Sequence, residues 1–415
     1  MRFLHTSDWH LGQTLHGQER QYEHQCFLDW LLIELDQRRP DALLIAGDIF
    51  DTVNPPVKAQ ELLYGFIVRA HAQDPRLQIV MIAGNHDSGA RIELPSPLMR
   101  NLRAHALGRV RWLDDGGLDS DHLLVPLENR SGETVAWCIA LPFLRPAEVT
   151  AGAGEADYVA GIARVHEQLI NAALERREPD QALIAMSHAH LAGAQISADS
   201  ERPIVMGGLE ELPASLFPKS IAYVALGHLH KPQRVGRQNR IRYSGSPLPL
   251  SFAEVNYRHQ LIDVTLERQR LTAWKSVPIP RRVRMLRIPA DGPAPLDAVL
   301  PQLEGLDYPG TPDVDSPWLE VRILLDTARP ELRHQVEQAL AGKAVRLVRL
   351  SVSYPESSSG GEPVEQLISL DQLDPRDLFS RIWEDKYGQH PPDQVMRDFA
   401  QLLDEVANQS GDAGA

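Results

Sequence analysis

Short apolar runs recur along residues 1–275, and each run ends in polar side chains. Continuous apolar runs of this length are typical of strands buried on both faces. Five such strands would therefore deliver carboxylates, an amide and imidazoles at the points where they stop. The runs are MRFLHTSDWH, ending in Asp8 and His10; ALLIAGD, ending in Asp48; QIVMIAGNHD, ending in Asn85, His86 and Asp87; ALIAMSHAH, ending in His188 and His190; and YVALGHLH, ending in His228 and His230.

Segments with helical spacing lie between these runs. EHQCFLDWLLIELDQRR places Phe27, Trp30, Leu31 and Leu35 on one face, and AQELLYGFIVRAHA is helical in the same way. This alternation predicts parallel strands covered by helices. The later segments TVAWCIALPF, RIRYSGS and HQLIDVTLERQRLTAWKSVPI are spaced like antiparallel hairpins. We therefore expect a mixed, two-sheet α/β architecture over residues 1–277.

The pattern changes near residue 278, at PIPRRVRMLRIPADGP. Residues 278–355 predict a compact α+β module, with RMLRIP, PWLEVRILL and AVRLVRLSVSY as strands and PELRHQVEQALAG as a helix. The Ser- and Gly-rich residues 356–366 predict a flexible linker. Residues 367–415 predict two amphipathic helices, DPRDLFSRIWEDKYG and PDQVMRDFAQLLDEVAN. Their apolar stripes would pack either on the preceding module or on a partner.

Composition places the chain among ordinary globular proteins. Its 415 residues predict two or three domains, and its 43% hydrophobic content is enough for a substantial core. The two cysteines, Cys26 and Cys138, imply no disulfide framework and suit a reducing compartment. The start has no signal-peptide pattern, and no apolar run approaches the ~20 residues that cross a bilayer. We expect a cytoplasmic protein without a membrane partner.

The formal net charge of −14 argues against a nucleic-acid partner, but its distribution weakens that argument. From residue 356 onward the chain has 13 acidic and 4 basic residues, so the acidity is concentrated in the tail. The segment HKPQRVGRQNRIR follows the last buried strand and contains no acidic residue. It is either a solvated hairpin or a surface that faces an anion. Its basic residues are Lys231, Arg234, Arg237, Arg240 and Arg242.

The polar residues at the strand ends form a candidate metal site. Ligands of parallel α/β sheets bind beyond the carboxyl ends of the strands, so we expect these side chains to converge. Oxygen and nitrogen donors without thiolate suit Mn²⁺, Mg²⁺, Fe or Zn²⁺. The donors are too many for one ion, and two ions that share a carboxylate need about this number. Gly47, Gly84 and Gly227 are expected to provide unusual backbone dihedrals at the turns toward the metal.

Taken in order, DWH, GDIFD, GNHD, SHAH and GHLH resemble the calcineurin-type metallophosphoesterase superfamily. LHTSDWHLGQ, AGDIFDT, AGNHDS, FLRP, ALGHLHKPQ and YSGSPLPLSF more closely resemble the SbcD-type DNA nuclease subunits, bacterial relatives of the double-strand-break repair nuclease. The resemblance covers residues 1–275. It implies an α/β/β/α sandwich over residues 1–277, a smaller capping domain at 278–355 that seats DNA, and C-terminal helices at 367–415 that dock an ATPase partner.

The resemblance also implies a role for each site residue. One ion would be held by Asp8, His10, Asp48 and His230, and the other by Asp48, Asn85, His188 and His228. The usual metal of the family is Mn²⁺, two ions per chain, with Mg²⁺ or another divalent ion possible. His86 would be the catalytic histidine beside the ions, oriented by Asp87, while His190 would be structural or peripheral. DNA contacts are expected from the basic run after His230, at Lys231 and Arg234, and from Arg20.

The implied function is an Mn²⁺-dependent nuclease acting on double-stranded DNA as an exonuclease and on single-stranded or hairpin DNA as an endonuclease, in repair, replication and recombination. The sequence has no GxxxxGK(S/T) motif, so ATP dependence would come from an SbcC-like coiled-coil ATPase. The chain would form a homodimer within a heterotetramer, in the cytoplasm and associated with the nucleoid.

Two other functions are compatible with parts of this pattern. One is a metallophosphoesterase acting on a small phosphodiester or a phosphoprotein, because the same ions serve all these substrates. The C-terminal third argues against it, since a small-molecule enzyme has little need of an added module, a linker and two amphipathic helices. The other is a scaffold on a decayed fold, against which the complete set of expected ligands argues.

Overall fold

The predicted alternation of strands and helices is present in the structure, a computed structural model. It describes residues 1–145, 148–149, 158–196, 211–327 and 329–354, and the single residues 379, 383, 391, 392, 395 and 396. Met1–Tyr354 form one unit and Pro355–Ala415 a second. The predicted linker at 356–366 lies outside the described residues. So do the predicted tail helices at 367–415, apart from the six single residues.

Residues 1–107 contain the first parallel strands and the helices between them. The strands are β1 (Arg2–Thr6), β2 (Thr14–Leu15), β3 (Gln18–Glu19), β4 (Ala42–Ala46), β5 (Gln78–Ile82) and β6 (Ala104–Leu107). The helices are α1 (Gln21–Arg38), α2 (Val57–Gln73), α3 (Gly89–Glu93) and α4 (Ser96–Met99). Helix α1 ends where Arg39 takes a left-handed conformation and its N–H reaches the carbonyl of Leu35. Both predicted helical segments are confirmed as α1 and α2.

Residues 120–278 add a second set of strands and one long helix. The elements are α5 (Ser120–Leu123), β7 (Leu124–Glu128), β8 (Thr134–Leu141), α6 (Tyr158–Arg176), β9 (Ala182–His188), β10 (Tyr223–Gly227), β11 (Gln233–Arg234), β12 (Ile241–Tyr243), β13 (Gln260–Glu267) and β14 (Arg270–Pro278). The β13–β14 hairpin is antiparallel, as predicted. The segment RIRYSGS forms a hairpin with β11, and it also pairs in parallel with β10, which its spacing did not indicate.

These strands form two six-stranded sheets. The first sheet has the order β14-β13-β1-β4-β5-β6, and the second has the order β11-β12-β10-β9-β8-β7. In the first sheet β1, β4, β5 and β6 are parallel, whereas β13 and β14 are antiparallel additions at one edge. In the second sheet β12, β10, β9 and β8 are parallel, with antiparallel edges. Both sheets therefore present several carboxyl strand ends on one side.

Alternating side chains of the first sheet face two different cores. Leu4, Leu43 and Ile45 pack against helices α1 and α2, while Phe3 and Leu44 face the second sheet. Helix α6 packs on the second sheet within the latter core. These layers confirm the α/β/β/α sandwich. Among the described residues, no helix combines the length and apolar character needed to cross a membrane.

A four-stranded sheet follows the sandwich. Its elements are β15 (Met285–Ile288), β16 (Ala294–Pro295), α7 (Leu296–Glu304), β17 (Trp318–Leu324), α8 (Leu332–Ala339) and β18 (Arg346–Ser353). The predicted strands and helix of this module are present, and every strand pairs in parallel with β17 because helices connect them. One face of β17 packs on α7 and α8 through Leu319, Val321 and Ile323. At its start, Trp318 joins a buried cluster with Leu15 and Phe252 of the sandwich.

Candidate metal centre

The predicted metal ligands converge at the carboxyl ends of β1, β4, β5, β9 and β10. The Asp48 carboxylate lies at the centre: its Oδ2 is 3.3 Å from Nε2 of His188 and 3.6 Å from Nε2 of His10. The amide oxygen of Asn85 lies 2.9 Å from Nε2 of His188 and 3.2 Å from Nδ1 of His228. The convergence follows from parallel pairing, which aligns these strand ends.

Three overlapping groups of donor atoms each fall within 4.8 Å. Asp48 belongs to two of the groups, and this is the position that a carboxylate shared by two ions would take. His86 belongs to one group, although the resemblance placed it beside the ions. The groups are Asp8 with His10 and His230; His10 with Asp48 and His86; and Asp48 with His188 and His228.

The backbone at this centre is held in an uncommon conformation. Asp8, His10, Asp48 and His228 have φ values of 54°, 45°, 47° and 103°, in the left-handed region that residues with a Cβ seldom occupy. Such residues persist only where the surrounding structure fixes them, and they concentrate at functional sites. The sharp turns that aim these side chains are therefore made largely by the ligand residues themselves.

The prediction that three glycines provide unusual dihedrals is right for Gly47 and wrong for the other two. Gly47 has a φ of +92°, whereas Gly84 and Gly227 have no such angle. Those two glycines are required for space. A Cβ on Gly84 would lie 2.2 Å from Oδ1 of Asp48, and one on Gly227 would lie 1.9 Å from the carbonyl oxygen of Ala46. The two sheets approach each other too closely at these points for a side chain.

The chemistry of the donor set fits divalent cations. Nε2 of His10 is buried and has no hydrogen-bond partner among the described residues, although it faces the Asp48 carboxylate. Asp8 and Asp48 are at most 1% exposed, and carboxylates in such a place require compensating positive charge. Buried imidazole nitrogens around two buried carboxylates are the donors that Mn²⁺ or Zn²⁺ accepts.

The electrostatics of the centre agree with this chemistry. Burial alone disfavours the charged form of Asp48, but the imidazoles of His188, His10 and His86 outweigh it and hold the Asp48 pKa well below its usual value. Burial lowers the pKa of His188, yet the Asp48 carboxylate reverses the effect and raises the pKa to about 9. Burial and the charge of His188 push the pKa of His228 well below its usual value. The carboxylate at the centre thus attracts positive charge.

Each of three ligand histidines is anchored through its Nδ1 atom. His10 donates to Oδ1 of Asp51 at 3.0 Å, His230 donates to Oε1 of Glu254 at 2.9 Å, and His188 donates to the carbonyl oxygen of Ala46 at 2.9 Å. Because Nδ1 carries the proton, Nε2 presents its lone pair to the centre. The sequence reasoning missed Asp51 and Glu254. Asp51 is the last residue of the GDIFD motif, whereas nothing in the sequence around Glu254 marks it.

His86 is half-buried beside the donor groups. Its Nδ1 donates to the carbonyl oxygen of Asp51 at 2.8 Å, and its backbone N–H donates to Oδ1 of Asp48 at 2.9 Å. The ring centroid lies 4.9 Å from that of His10. With Nδ1 anchored, Nε2 is the atom that can act on a ligand at the centre.

The prediction that Asp87 orients His86 requires correction. The Asp87 carboxylate is fully buried and accepts the backbone N–H groups of Ile49, Phe50 and Gly84 at 3.0, 2.9 and 2.8 Å. Burial and the nearby Asp48 raise its pKa to about 6. The carbonyl of Asp51, rather than Asp87, holds the His86 ring. Asp87 instead ties together the two loops that carry Asp48 and Asn85.

Arg20 cannot contact DNA as predicted, because it is 1% exposed and lies inside the protein. Its guanidinium pairs with Glu23 and donates to Gln13 and to the carbonyl of Pro249. Lys231 and Arg234 lie just beyond His230, where Lys231 donates to Gln195 and the exposed Arg234 donates to Asn239 at 3.2 Å.

Two other residues of this basic segment have structural contacts. Arg242 is 6% exposed and stacks 3.3 Å from the ring centroid of Trp274, while Arg240 donates to backbone carbonyls. His190 is buried near the centre: its ring lies 6.3 Å from that of His228, and its Nε2 lies 3.8 Å from Oε1 of Glu211. His190 belongs to none of the donor groups found among the described residues.

Two family models match the chain. The model described as calcineurin-like phosphoesterase matches residues 1–232, which contain every predicted metal ligand. The model described as type 5 capsule protein repressor C-terminal domain matches residues 281–387. The first match covers the two-sheet sandwich up to the basic segment, and the second begins just before β15.

Curated proteins similar to this chain share one name, that of the SbcD component of the nuclease SbcCD. The protein from Rhodobacter capsulatus is 40% identical over 388 residues, which are 92% of this chain and 94% of that protein. The protein from Escherichia coli K12 is 32% identical over 392 residues, 92% of each chain. The protein from Bacillus subtilis 168 is 33% identical over 406 residues, 95% of this chain and 96% of that protein. The similarity therefore extends well beyond the metal ligands.

Proposed function

This chain belongs to the calcineurin-like phosphoesterases and, among them, to the SbcD family of nuclease components, and we propose that it is the DNA-cleaving component of an SbcCD-like complex. One observation carries the proposal: ligands from five strand ends surround the shared carboxylate of Asp48. That geometry suits hydrolysis of a phosphodiester. The choice of DNA as the substrate follows the name of the relatives.

The site would hold two Mn²⁺ ions per chain, with Mg²⁺ or another divalent ion as a substitute. Asp48 would bridge them. Two bound ions lower the pKa of a coordinated water and neutralise the charge that develops on a phosphodiester during cleavage. The first ion would be held by Asp8, His10, Asp48 and His230, and the second by Asp48, Asn85, His188 and His228.

His86 would act on the leaving group. Its Nδ1 proton is committed to the carbonyl of Asp51, so its Nε2 can donate a proton to the leaving oxygen or stabilise negative charge there. Asp87 supports this arrangement from below, because it holds the loops that carry Asp48 and Asn85.

DNA would approach over the ends of the two sheets, next to the module at 278–355, which would seat the duplex. Lys231 and Arg234 follow the donor His230 closely along the chain, and Arg234 is exposed. Cations in this place would pair with phosphates on either side of the bond to be cut. The division at residue 278 would then separate the nuclease domain from the DNA-seating domain.

An SbcC-like coiled-coil ATPase would supply ATP dependence, docked on residues 367–415 beyond the linker at 356–366. We also infer a homodimer within a heterotetramer. Leu94 and Leu98, on and beside the short helices α3 and α4, are 79% and 75% exposed, and paired leucines exposed to this extent are typical of an interface. A DNA nuclease of this kind would work in the cytoplasm at the nucleoid.

Cleavage by the purified chain tests the proposal. A labelled linear duplex, a DNA hairpin and a chromogenic phosphodiester would each be incubated with Mn²⁺, with Mg²⁺ and with a chelator. We expect Mn²⁺-dependent cleavage of both DNA substrates that disappears in the His86→Ala variant, which controls for contaminating nucleases. Hydrolysis of the small ester with both DNA substrates left intact, even after addition of the ATPase partner, would instead favour a small-substrate phosphodiesterase.

A further inference from the structure

The metal ligand His230 depends on a buried glutamate that is itself held by a loop. Glu254 has no exposed surface, and its Oε1 accepts the Nδ1 proton of His230 at 2.9 Å. Its other oxygen, Oε2, accepts the backbone N–H of Leu250 at 2.7 Å. The direction in which His230 presents Nε2 is therefore set by the position of residues 249–254.

Two polar side chains hold this loop from the opposite side. Gln13 donates to the carbonyl of Leu250 at 2.9 Å, and Arg20 donates to the carbonyl of Pro249 at 2.6 Å. Arg20 also donates to Oε1 of Gln13 at 2.8 Å, so the two side chains act together. Both contacts restrain the backbone next to the N–H group that Glu254 accepts.

Arg20 is in turn held through a residue of the four-stranded sheet. Its Nε and Nη2 atoms donate to the two carboxylate oxygens of Glu23, each at 2.8 Å. The indole Nε1 of Trp318 donates to Oε2 of the same carboxylate at 3.0 Å. Trp318 is 2% exposed, and Phe252 of the loop belongs to the same buried apolar cluster. A buried ion pair with its remaining acceptor capacity satisfied in this way has a defined geometry.

We propose that Trp318 is a positioning residue for the metal ligand His230. The contacts run from Trp318 through Glu23 and Arg20 to the loop at 249–254, and from there through Glu254 to His230; we call them the contact path. The seating of the four-stranded sheet against the sandwich then sets the affinity of one metal position. This inference rests on the proposed two-metal site, and it adds a link between that site and the module at 278–355.

The test is metal binding without substrate, measured by titration calorimetry of the full chain with Mn²⁺. Glu254→Gln should weaken one of the two ions about 10- to 100-fold, the usual effect of removing the partner of a ligand histidine. Trp318→Phe keeps an aromatic ring in the cluster but loses the indole N–H, and it should weaken the same ion by about three- to tenfold. Trp137→Phe is the matched control, since Trp137 donates to Oε1 of Gln181 at 3.0 Å, away from the contact path.

The double variant Trp318→Phe, Glu254→Gln decides whether the effect travels along the path. If Trp318 acts through Glu254, the double variant binds Mn²⁺ as Glu254→Gln does, because the effects of coupled residues do not add. Unchanged Mn²⁺ affinity in Trp318→Phe, or losses that multiply in the double variant, would overturn the proposal. If Trp318→Phe does not fold, Arg20→Lys gives the same test, because lysine cannot contact both Glu23 oxygens and the Pro249 carbonyl.

The same titration separates this inference from the proposed function. A wild-type chain that binds no Mn²⁺ at all would contradict the metal-dependent nuclease. A wild-type chain that binds two ions, with no difference in Trp318→Phe, would contradict only the contact path. Kinetics on a small phosphodiester add a further readout: Trp318→Phe should recover wild-type turnover at high Mn²⁺, which a partly unfolded protein would not do.

Discussion

His188 donates its Nδ1 proton to the carbonyl oxygen of Ala46, which lies 142 residues earlier in the chain and in the other sheet. The bond, 2.9 Å long, joins the carboxyl ends of β9 and β4 directly at the candidate metal centre. It fixes the tautomer of His188 and holds the two sheets in the spacing that lets His188 reach Asp48. The centre is thus a property of the contact between the sheets rather than of either sheet alone.

Asp48→Asn should abolish cleavage and the binding of both ions. Asp48 is the carboxylate that two donor groups share, and an amide cannot replace its charge among buried imidazoles. We expect the affinity for Mn²⁺ to fall by more than about 100-fold, measured by calorimetry. Asp41→Asn is the control, because Asp41 lies just before β4, at its other end, where it accepts the N–H of Arg2. Two ions bound normally to Asp48→Asn would rule out the bridging role.

His86→Ala should reduce the rate of DNA cleavage by about 10²- to 10⁴-fold while two Mn²⁺ ions still bind, since general acid catalysis contributes about that much. His190→Ala is the matched control: it removes a neighbouring buried imidazole that belongs to no donor group among the described residues and should leave the rate within about threefold. The rates would be measured on a labelled duplex at saturating metal. Loss of an ion from His86→Ala would mean that His86 is a ligand.

Gly227→Ala should destabilise the protein by more than about 3 kcal/mol, because its Cβ would lie 1.9 Å from the carbonyl oxygen of Ala46 and would force the sheets apart. Gly65→Ala is the control. Gly65 lies in helix α2 with nothing within 4 Å of a Cβ, so its replacement should stabilise by about 0.5–1 kcal/mol. Urea denaturation measures both. Equal stability of the two variants would mean that the sheets have room to separate.

Glu93→Gln should destabilise the protein at pH 7 by about 2 kcal/mol, and the difference should shrink at low pH. Burial disfavours the Glu93 carboxylate, but His122, Arg111, the N–H of Gly108 and Arg109 outweigh it and lower its pKa. A lowered folded-state pKa gives stability that is complete above the unfolded value and is lost as the pH falls toward the folded value.

Denaturation of Glu93→Gln and the wild type at pH 7 and at pH 3 measures this effect. Glu19→Gln is the control at both pH values, because Glu19 is exposed and pairs with Lys58 at only 3.4 Å. A loss in Glu93→Gln that is the same at pH 7 and pH 3 would show that the charge of Glu93 is not responsible.

Replacing Leu94 and Leu98 together with serine should convert the proposed homodimer to monomers without loss of fold. Both leucines are largely exposed, so their replacement removes apolar surface that faces water rather than the core. Light scattering after gel filtration measures the mass. Leu113→Ser is the control, as Leu113 is also exposed but lies in a separate loop. A wild-type chain that is already monomeric would refute the proposed dimer.

The metal centre was predictable because its ligands follow apolar strands directly. Asp8, Asp48 and His228 each come within two residues of a strand end, and the topology of parallel sheets places such residues together. Their left-handed dihedrals were not predictable, because glycine is the residue that sequence reasoning associates with that conformation.

The misjudged residues depend on partners that are distant in sequence or on the direction of a side chain. Arg20 follows a polar loop and is charged, which suggested the surface, yet its partner Glu23 is bonded to Trp318, 295 residues further along the chain. Asp87 is adjacent to His86, but neighbouring side chains after a strand point in different directions, and the carboxylate turns to the backbone of another loop. Contacts of this kind arise only when the sheets assemble.

The division of the ligands between two sheets has a consequence for the synthesis of the chain. Asp8, Asp48 and Asn85 leave the ribosome early, but His228 and His230 follow more than 140 positions after Asn85, and β1 pairs with β13 only when residues 262–265 are available. A nascent chain therefore holds an incomplete set of ligands until most of the sandwich has been made. The hydrolytic centre cannot form ahead of the folded protein, so a truncated product of translation is not a nuclease.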